Sequence, residues 1–263
     1  MTTLTREFIL SNLMGPNAAL LVSDLCGDWL PERSRRVCDL GCGNGLTSMW
    51  LADHVAGTVF AVDLWNEAEE NQTRFDSLGY AGRIEAVHAD ALELPFEPSS
   101  LDALVSVDSY NFFGREEGVI GRVAASVRPG SPILISVPGL VRPLDDDMMK
   151  VFSASWTREQ MDYIWTRDQW AELLCRSSSV RIDDIAEQVC FDEAWSDWLS
   201  CDNEYARGDR AAFAAGAHAS AASVAIGISY HSLCIWCSAR FSVLQGWKVP
   251  APTCRVTLAR SMP

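Results

Sequence analysis

The sequence predicts an α/β protein that is built on a mostly parallel sheet. Short apolar runs of strand-like composition alternate with stretches of helical spacing, and polar or glycine-rich turns separate them. The strand-like runs lie at residues 36–40, 58–63, 84–88, 102–107 and 132–138. Helical spacing is clearest at residues 46–55 and 115–128. Strands that alternate with helices form β-α-β units, and the strands of such units pair in parallel.

Composition agrees with this class and excludes one kind of partner. The chain has 263 residues, of which 48% are hydrophobic and 21% charged, which suits one α/β domain with an added cap. The formal net charge is −14, so we expect no nucleic-acid partner, because binding to phosphates requires clustered Lys and Arg. The opening residues MTTLTREFIL lack the features of a secretory leader, and we expect a cytoplasmic protein.

Acidic residues mark the ends of the predicted strands. Asp39, Asp63, Asp90 and Asp108 each lie at or just after the end of a strand-like run. Ligands of open α/β sheets bind beyond the carboxyl ends of the strands. The sequence therefore predicts an acid-lined ligand site at this edge of the sheet.

A glycine-rich turn follows the first predicted strand. Glycines at 41, 43 and 45 permit positive φ and close approach of a ligand to the backbone. A dinucleotide-binding turn would place Gly or Ala at position 46, where this chain has Leu46. The acid before the turn, Asp39, suits a cationic ligand group better than a pyrophosphate. Asp63, at the end of the next strand, is placed to accept both hydroxyls of a ribose.

Four ordered motifs then carry a resemblance to a known family. They are VCDLGCGNG at 37–45, AVDLW at 61–65, HADALELPF at 88–96 and VRPGSPILIS at 127–136. This part of the chain resembles the S-adenosylmethionine-dependent methyltransferases of small-molecule type, which have a Rossmann-like sheet with helices on both faces. The resemblance implies S-adenosylmethionine as the cofactor and no metal.

The resemblance also implies a set of cofactor-binding residues. Four of them would surround the methionine end of the cofactor: Asp39, Gly41, Gly43 and Asn44. Asp63 would bind the ribose, and Asp90 would accept the adenine amino group beside the backbone of Ala91. Leu64 and Trp65 would flank the adenine ring, with packing under a helix as the alternative for Trp65. Cys42 lies within the turn itself, where a small side chain is needed.

The loop after the fourth strand is the candidate catalytic segment. It reads VDSYNFF from residue 107, and it is expected to face the transferred methyl group. Asp108 and Tyr110 are the candidates for contact with the nucleophile or the sulfonium. The alternatives are a helix-capping role for Asp108 and a packing role for Tyr110, Phe112 and Phe113.

We divide the chain into four parts: a helical cover (1–35), a cofactor-binding core (36–139), a substrate cap with the last part of the core (140–216) and an atypical tail (217–263). Residues 8–16 are expected to cover the cofactor. The small cap is rich in aromatic residues, namely Trp156, Tyr163, Trp165, Trp170, Trp195, Trp198 and Tyr205. With acids nearby, such a cap suits an amine acceptor through cation–π contacts, or the rings serve for packing alone.

The last 54 residues contain five Lys or Arg and no acid. Residues 223–231 could supply one of the last strands of the sheet. His231 and Arg240 interrupt the apolar stretch 224–244, so we expect no membrane span. The CxxC at 234–237 lacks a second pair, and the histidines share no metal-ligand spacing, so no metal site is expected.

Two functions remain open from the sequence. The first is transfer of a methyl group from S-adenosylmethionine to a small-molecule acceptor by in-line displacement. In this reaction, alignment of the acceptor with the activated methyl group supplies most of the rate enhancement. The second is a catalytically silent relative that binds the cofactor or a partner without turnover.

Overall fold

The structure, a computed structural model, describes residues 4–27 and 29–230. Within these residues one eight-stranded sheet organises the chain. Its strands are β1 (Arg36–Leu40), β2 (Thr58–Asp63), β3 (Ile84–His88), β4 (Ala103–Val107), β5 (Pro132–Leu140), β6 (Trp165–Thr166), β7 (Val180–Glu187) and β8 (Ala221–Tyr230). Their order across the sheet is β3-β2-β1-β4-β5-β8-β7, and the short β6 pairs with β5.

Helices connect these strands. They are α1 (Arg6–Ser11), α2 (Ala18–Cys26), α3 (Leu46–His54), α4 (Ala68–Ser77), α5 (Tyr110–Phe113), α6 (Val119–Ala124), α7 (Asp146–Phe152), α8 (Arg158–Met161), α9 (Arg167–Leu174), α10 (Phe191–Ser200) and α11 (Glu204–Ala214). A 3₁₀ helix at Ala217–Ser220 leads into β8.

The predicted mostly parallel sheet is confirmed. The strands β1 to β6 pair in parallel, and β8 pairs antiparallel with both β5 and β7. In the register, Asp39 of β1 lies beside Ala61 of β2 on one side and Val105 of β4 on the other. The carboxyl ends of these three central strands therefore lie at the same edge of the sheet.

Apolar side chains cover both faces of the sheet, which explains why its strands are continuous apolar runs. Successive residues alternate between two clusters: Val37 belongs to one, and Cys38 to the other. The first cluster includes Leu46 and Met49 of α3, and the second includes Val123 of α6. Helices thus pack on both faces, as predicted.

The N-terminal helices are anchored to α10 by buried polar groups. Asn17 caps α2, and its side-chain amide donates to Asp197 (Asn17 Nδ2 to Oδ2, 2.7 Å). Its backbone N–H donates to the carbonyl of Ala194 (3.0 Å), and Arg6 pairs with the other oxygen of Asp197. These contacts fix the loop between α1 and α2, where Met14 lies close to Gly43.

The cap has a small apolar core of its own around Met148, Phe152 and Met161. The buried carboxylate of Asp209 on α11 holds it together by accepting three hydrogen bonds. The donors are Ser155 Oγ (2.6 Å), Trp156 Nε1 (2.9 Å) and Trp198 Nε1 (2.8 Å). The carboxylate of Asp209 is therefore occupied by the N–H groups of these two indoles.

Most cap tryptophans serve packing. Trp170 and Trp198 are fully buried, and Trp195 is stacked against Phe213. The structure thus gives no support to an amine acceptor held by a cage of these rings, because their faces are covered by other side chains.

The predicted late strand is confirmed as far as the described residues extend. β8 occupies residues 221–230 between β5 and β7, so this part of the acid-free region lies inside the sheet. His231 and the CxxC at 234–237 lie outside the described residues. Among the helices of residues 4–27 and 29–230, none has the length and apolar character that a membrane crossing requires.

Candidate functional site

The strand order reverses between β1 and β4, which lie side by side, and open α/β sheets have a crevice at the carboxyl ends of such a pair. The chain leaves β1 through α3 on one face of the sheet and leaves β4 through α5 and α6 toward the other face. A ligand site is expected at such a point because the two connections diverge from adjacent strand ends. Three loops border the crevice: residues 41–45 after β1, residues 64–66 after β2 and residues 108–109 after β4.

The glycine turn is shaped by its protein neighbours. Gly41 has φ +76°, and a Cβ there would overlap the side chain of Ser109 in the loop after β4. Gly45 has φ +82° and is the N-cap of α3, and a Cβ there would overlap the ring of Phe75 on α4. Sequence reasoning expected these glycines to make room for a ligand. At 41 and 45 they also make room for Ser109 and Phe75.

Asp39 is a fully buried carboxylate beneath the glycine turn. One of its oxygens accepts from Thr47 Oγ1 (2.6 Å) and Ser48 Oγ (2.5 Å), both in the first turn of α3. The other oxygen is buried and has no partner within the described part of the chain. Burial raises the pKa of Asp39 to about 6, against the lowering effect of the two hydroxyls, and the nearby charge of Asp63 adds to the rise.

Asp63 ends β2 and holds the turns on either side of it. Its Oδ2 accepts from the N–H of Gly43 (2.9 Å), and its Oδ1 accepts from the N–H of Trp65 and of Asn66 (2.8 Å each). A carboxylate has about four acceptor positions, so these donors leave room for about one more. Binding both hydroxyls of a ribose would therefore require one backbone bond to be given up.

Asp90 and Ala91 lie at the outer end of the same edge, beyond β3. Asp90 is exposed and accepts from the N–H of Leu92 through Oδ1 (2.8 Å), which leaves its other oxygen open to solvent. Ala91 is partly buried. The structure places both at the edge of the sheet where sequence reasoning expected the adenine.

Exposed aromatic rings line the mouth of the crevice. Trp65 is 74% exposed, and its ring centre lies 5.4 Å from that of Phe112 in α5. The ring of Phe112 lies 5.4 Å from Tyr163, over which the guanidinium of Arg115 is placed at 4.2 Å. The packing role considered for Trp65 does not fit this exposure. Leu64 beside it is also exposed.

Asp108 follows β4 directly, and β1 separates the end of this strand from the end of β2, where Asp63 lies. The φ of Asp108, +51°, is a left-handed conformation that few residues other than glycine adopt. Its side chain makes no hydrogen bond within residues 4–27 and 29–230, and its Oδ1 is fully buried. Burial raises the pKa of Asp108 to about 7. The side chain caps no helix, because the helix that follows has Ser109 at its N-cap without a side-chain hydrogen bond.

Tyr110 and Asn111, in the first turn of α5, point into the protein. Tyr110 is fully buried between Phe113 and Trp170, and its hydroxyl has no partner within the described residues. Burial raises the pKa of this phenol above its usual range. The side-chain oxygen of Asn111 is likewise buried and unpaired. The hydroxyl of Tyr110 is thus covered, and its predicted catalytic role stays a prediction.

Several residues of the site were not found from the sequence. Thr47, Ser48 and Ser109 contribute hydroxyls, and Asn71 and Arg74 reach the glycine turn from α4. The hydroxyls directly after the glycine motif were the one available signal. Cys42 is buried, and burial raises the pKa of its thiol well above the usual range, as suits a small packing residue.

Two other features lie apart from this edge. Within the described residues, no group of three or more His, Cys, Asp or Glu could hold a metal ion. An open pocket of about 400 Å³ lies between α10, α11 and the 3₁₀ helix, and no predicted site residue lines it.

Comparison with known proteins agrees with this arrangement. Residues 37–130 match the family model described as "Methyltransferase domain". Among curated relatives, the chain is 27% identical over 108 residues to O-methyltransferase rstn1 of Aspergillus nomiae, covering 40% of this chain and 47% of the relative. It is 26% identical over 160 residues to methyltransferase GfsG of Streptomyces halstedii, covering 59% and 56%. The chain thus spans about half the length of these relatives.

Solved structures share the fold at low identity. A phosphoethanolamine N-methyltransferase of Haemonchus contortus, in complex with phosphomonomethylethanolamine and S-adenosylhomocysteine, aligns with a TM-score of 0.66 at 18% identity, covering 84% of this chain and 55% of that one. The [4+2]-cyclase SpnF aligns with a TM-score of 0.62 at 15% identity, covering 82% of each chain. These likenesses concern the fold, since one of the two proteins is described as a cyclase.

Proposed function

We propose that the protein transfers a methyl group from S-adenosylmethionine to a small-molecule acceptor, because residues 37–130 match the family model described as "Methyltransferase domain". The observation that carries the proposal is a group of buried acceptor atoms without partners at the ends of β1 and β4. They are Asp39 Oδ1 and Asp108 Oδ1. Buried polar atoms are nearly always paired in folded proteins, so such a group calls for a ligand that brings donors.

S-adenosylmethionine fits this arrangement. Its ammonium suits the unpaired oxygen of Asp39, and its sulfonium suits a crevice whose ionisable groups are acids. We propose that Gly41, Cys42, Gly43 and Asn44 contact its methionine end. Asp63 would bind the ribose through its remaining acceptor position. Asp90, Ala91 and Leu64 would border the adenine.

The cofactor supplies a methyl group that is already activated on a sulfonium. The chain aligns the acceptor with that methyl group and excludes water from the crevice. Asp108 takes up the proton that the acceptor loses as its bond to the methyl carbon forms and the carbon–sulfur bond breaks. A carboxylate with a pKa near 7 is matched to this task at neutral pH.

The acceptor we propose is a hydroxyl compound. Asp108 offers a hydrogen-bond acceptor atom, so the methyl acceptor has to bring a donor, which argues against a bare phosphate or carboxylate. The names of several relatives, which include O-methyltransferases, support oxygen as the nucleophile. The exposed rings of Trp65 and Phe112, with the half-buried Tyr163 beside them, offer an apolar surface for the rest of such a molecule.

The experiment is a matched acceptor panel with S-adenosylmethionine, in which phenols, alcohols, amines and carboxylates share one ring scaffold. Mass spectrometry measures S-adenosylhomocysteine and the methylated product. We expect product with hydroxyl acceptors and little with carboxylates. Cofactor binding without product from any acceptor would support the silent alternative and overturn methyl transfer.

A further inference from the structure

Two side chains of α4 hold the glycine turn from the side opposite to the crevice. The buried Asn71 donates to the carbonyl of Gly43 (Nδ2 to O, 2.9 Å). Arg74, one helical turn further on, donates to Asn71 Oδ1 (2.7 Å) and to the carbonyl of Asn44 (3.3 Å). Asn71 is 2% exposed, so its amide is committed to this contact.

The hydrogen bonds from Asn71 and Arg74 to the turn orient one backbone donor, the N–H of Asn44. In a trans peptide the carbonyl and the following N–H point in opposite directions, and the described residues contain no cis peptide bond. Because Asn71 and Arg74 bind the carbonyls of residues 43 and 44, the N–H of Asn44 points away from α4. That N–H has no hydrogen bond within the described residues, whereas the N–H of Gly45 is bound to the carbonyl of Cys42 (2.8 Å).

The neighbourhood of this free N–H suits an anionic group. It lies next to the first turn of α3, a helix of nine residues whose N-cap, Gly45, supplies no side-chain hydrogen bond. Backbone N–H groups at the start of a helix attract anions. The amino-acid end of the proposed cofactor carries a carboxylate beside its ammonium, and Asp39 beneath the turn suits only the ammonium.

We propose that Asn71 and Arg74 are positioning residues, which hold the Asn44 N–H toward the carboxylate of the bound cofactor. This inference rests on the proposed function. It assigns to α4 a role in recognising the amino-acid end of the ligand, separate from the roles of Asp63 and Asp90 at its nucleoside end.

The test compares two probes that differ at that end. S-adenosylhomocysteine carries the carboxylate, and 5′-methylthioadenosine lacks the whole amino-acid group. Calorimetry on Asn71→Leu, which keeps the volume and removes the donor, should show about a tenfold weaker affinity for S-adenosylhomocysteine, the size of one lost charge-assisted hydrogen bond. Affinity for 5′-methylthioadenosine should stay at the wild-type value.

Thr73→Ala is the matched control, since this residue is exposed on the same helix, and both affinities should stay unchanged. If Asn71→Leu fails to fold, Arg74→Met is the second variant, because that side chain is partly exposed. An equal loss for both probes, or no loss for either, would overturn the positioning role. Failure of the wild type to bind either probe would instead overturn the proposed function.

Discussion

Buried carboxylates occur in two regions of this molecule, and their hydrogen bonding differs. In the cap, Asp209 accepts from three side-chain donors, and Asp197 accepts from Asn17 and Arg6. At the crevice, Asp39 has one unpaired oxygen, and Asp108 has no hydrogen bond to its side chain within the described residues. The acids of the cap are satisfied by the fold. Those of the crevice are kept at a cost to stability that a ligand can offset.

The largest effect should come from the satisfied acid of the cap. Asp209→Ala leaves the N–H groups of Trp156 and Trp198 and the hydroxyl of Ser155 without their shared acceptor. We expect the free energy of unfolding to fall by about 3 kcal/mol or more in chemical denaturation. Asp192→Ala is the control, since within the described residues that exposed acid pairs with the exposed His218, and its loss should change stability little. Equal stability of the two variants would contradict a structural role for Asp209.

Asp63 lies at the crevice but is satisfied by three backbone N–H groups, so its loss should affect both stability and ligand binding. Asp63→Ala removes the acceptor of three backbone N–H groups and of the proposed ribose hydroxyl. Affinity for S-adenosylhomocysteine should weaken by roughly two orders of magnitude in calorimetry. The unliganded protein should also lose thermal stability. A folded variant with unchanged affinity would remove Asp63 from the site.

Asp39, which has one unpaired oxygen, should make both the stability of the protein and its affinity for the ligand depend on pH. Its pKa near 6 lies above that of an unfolded chain, so its contribution to the stability of the unliganded protein is full below pH 4 and is lost as pH rises through 6. Ligand affinity should change in the opposite direction, because the ammonium prefers the charged carboxylate. We expect affinity for S-adenosylhomocysteine to rise by up to about tenfold per pH unit below pH 6. Asp39→Asn should flatten this profile, and a wild-type profile that is already flat would contradict the account.

Tyr110 should give the smallest effect. Its hydroxyl is buried without a partner in the described residues, so Tyr110→Phe removes an unsatisfied group and should leave the melting temperature equal or slightly higher. If the ring only packs against Trp170, product formation should stay close to wild type. A fall in kcat of about a hundredfold or more at unchanged stability would instead establish the catalytic role predicted from the sequence.

The sequence was sufficient for the first five strands and for the positions of the acids at their ends. Period and composition located β1 to β5 but not β6 and β7, and the register then brings Asp39 level with the neighbouring strands β2 and β4. Local pattern also located β8 within a stretch of unusual composition. These features follow from the spacing of apolar and acidic residues that are close together in the chain, and a single sequence shows that spacing.

Contacts between distant segments could not be predicted in this way. The space beside Gly41 is filled by Ser109, 68 positions later, and the glycine turn is held by Asn71 and Arg74 from α4. The aromatic cap suggested an amine site because residue type alone does not reveal which ring faces are covered. Only the packed structure shows that Trp198 is buried and that its N–H is used by Asp209.

Calorimetric titration of the wild-type protein with S-adenosylhomocysteine and, separately, with NAD tests whether the glycine turn binds the proposed cofactor. The unpaired acceptor of Asp39 beneath the glycine turn suits an ammonium and opposes a pyrophosphate. We expect saturable binding of S-adenosylhomocysteine, accompanied by proton release below pH 6, and no binding of NAD. Binding of NAD with no response to S-adenosylhomocysteine would contradict this expectation.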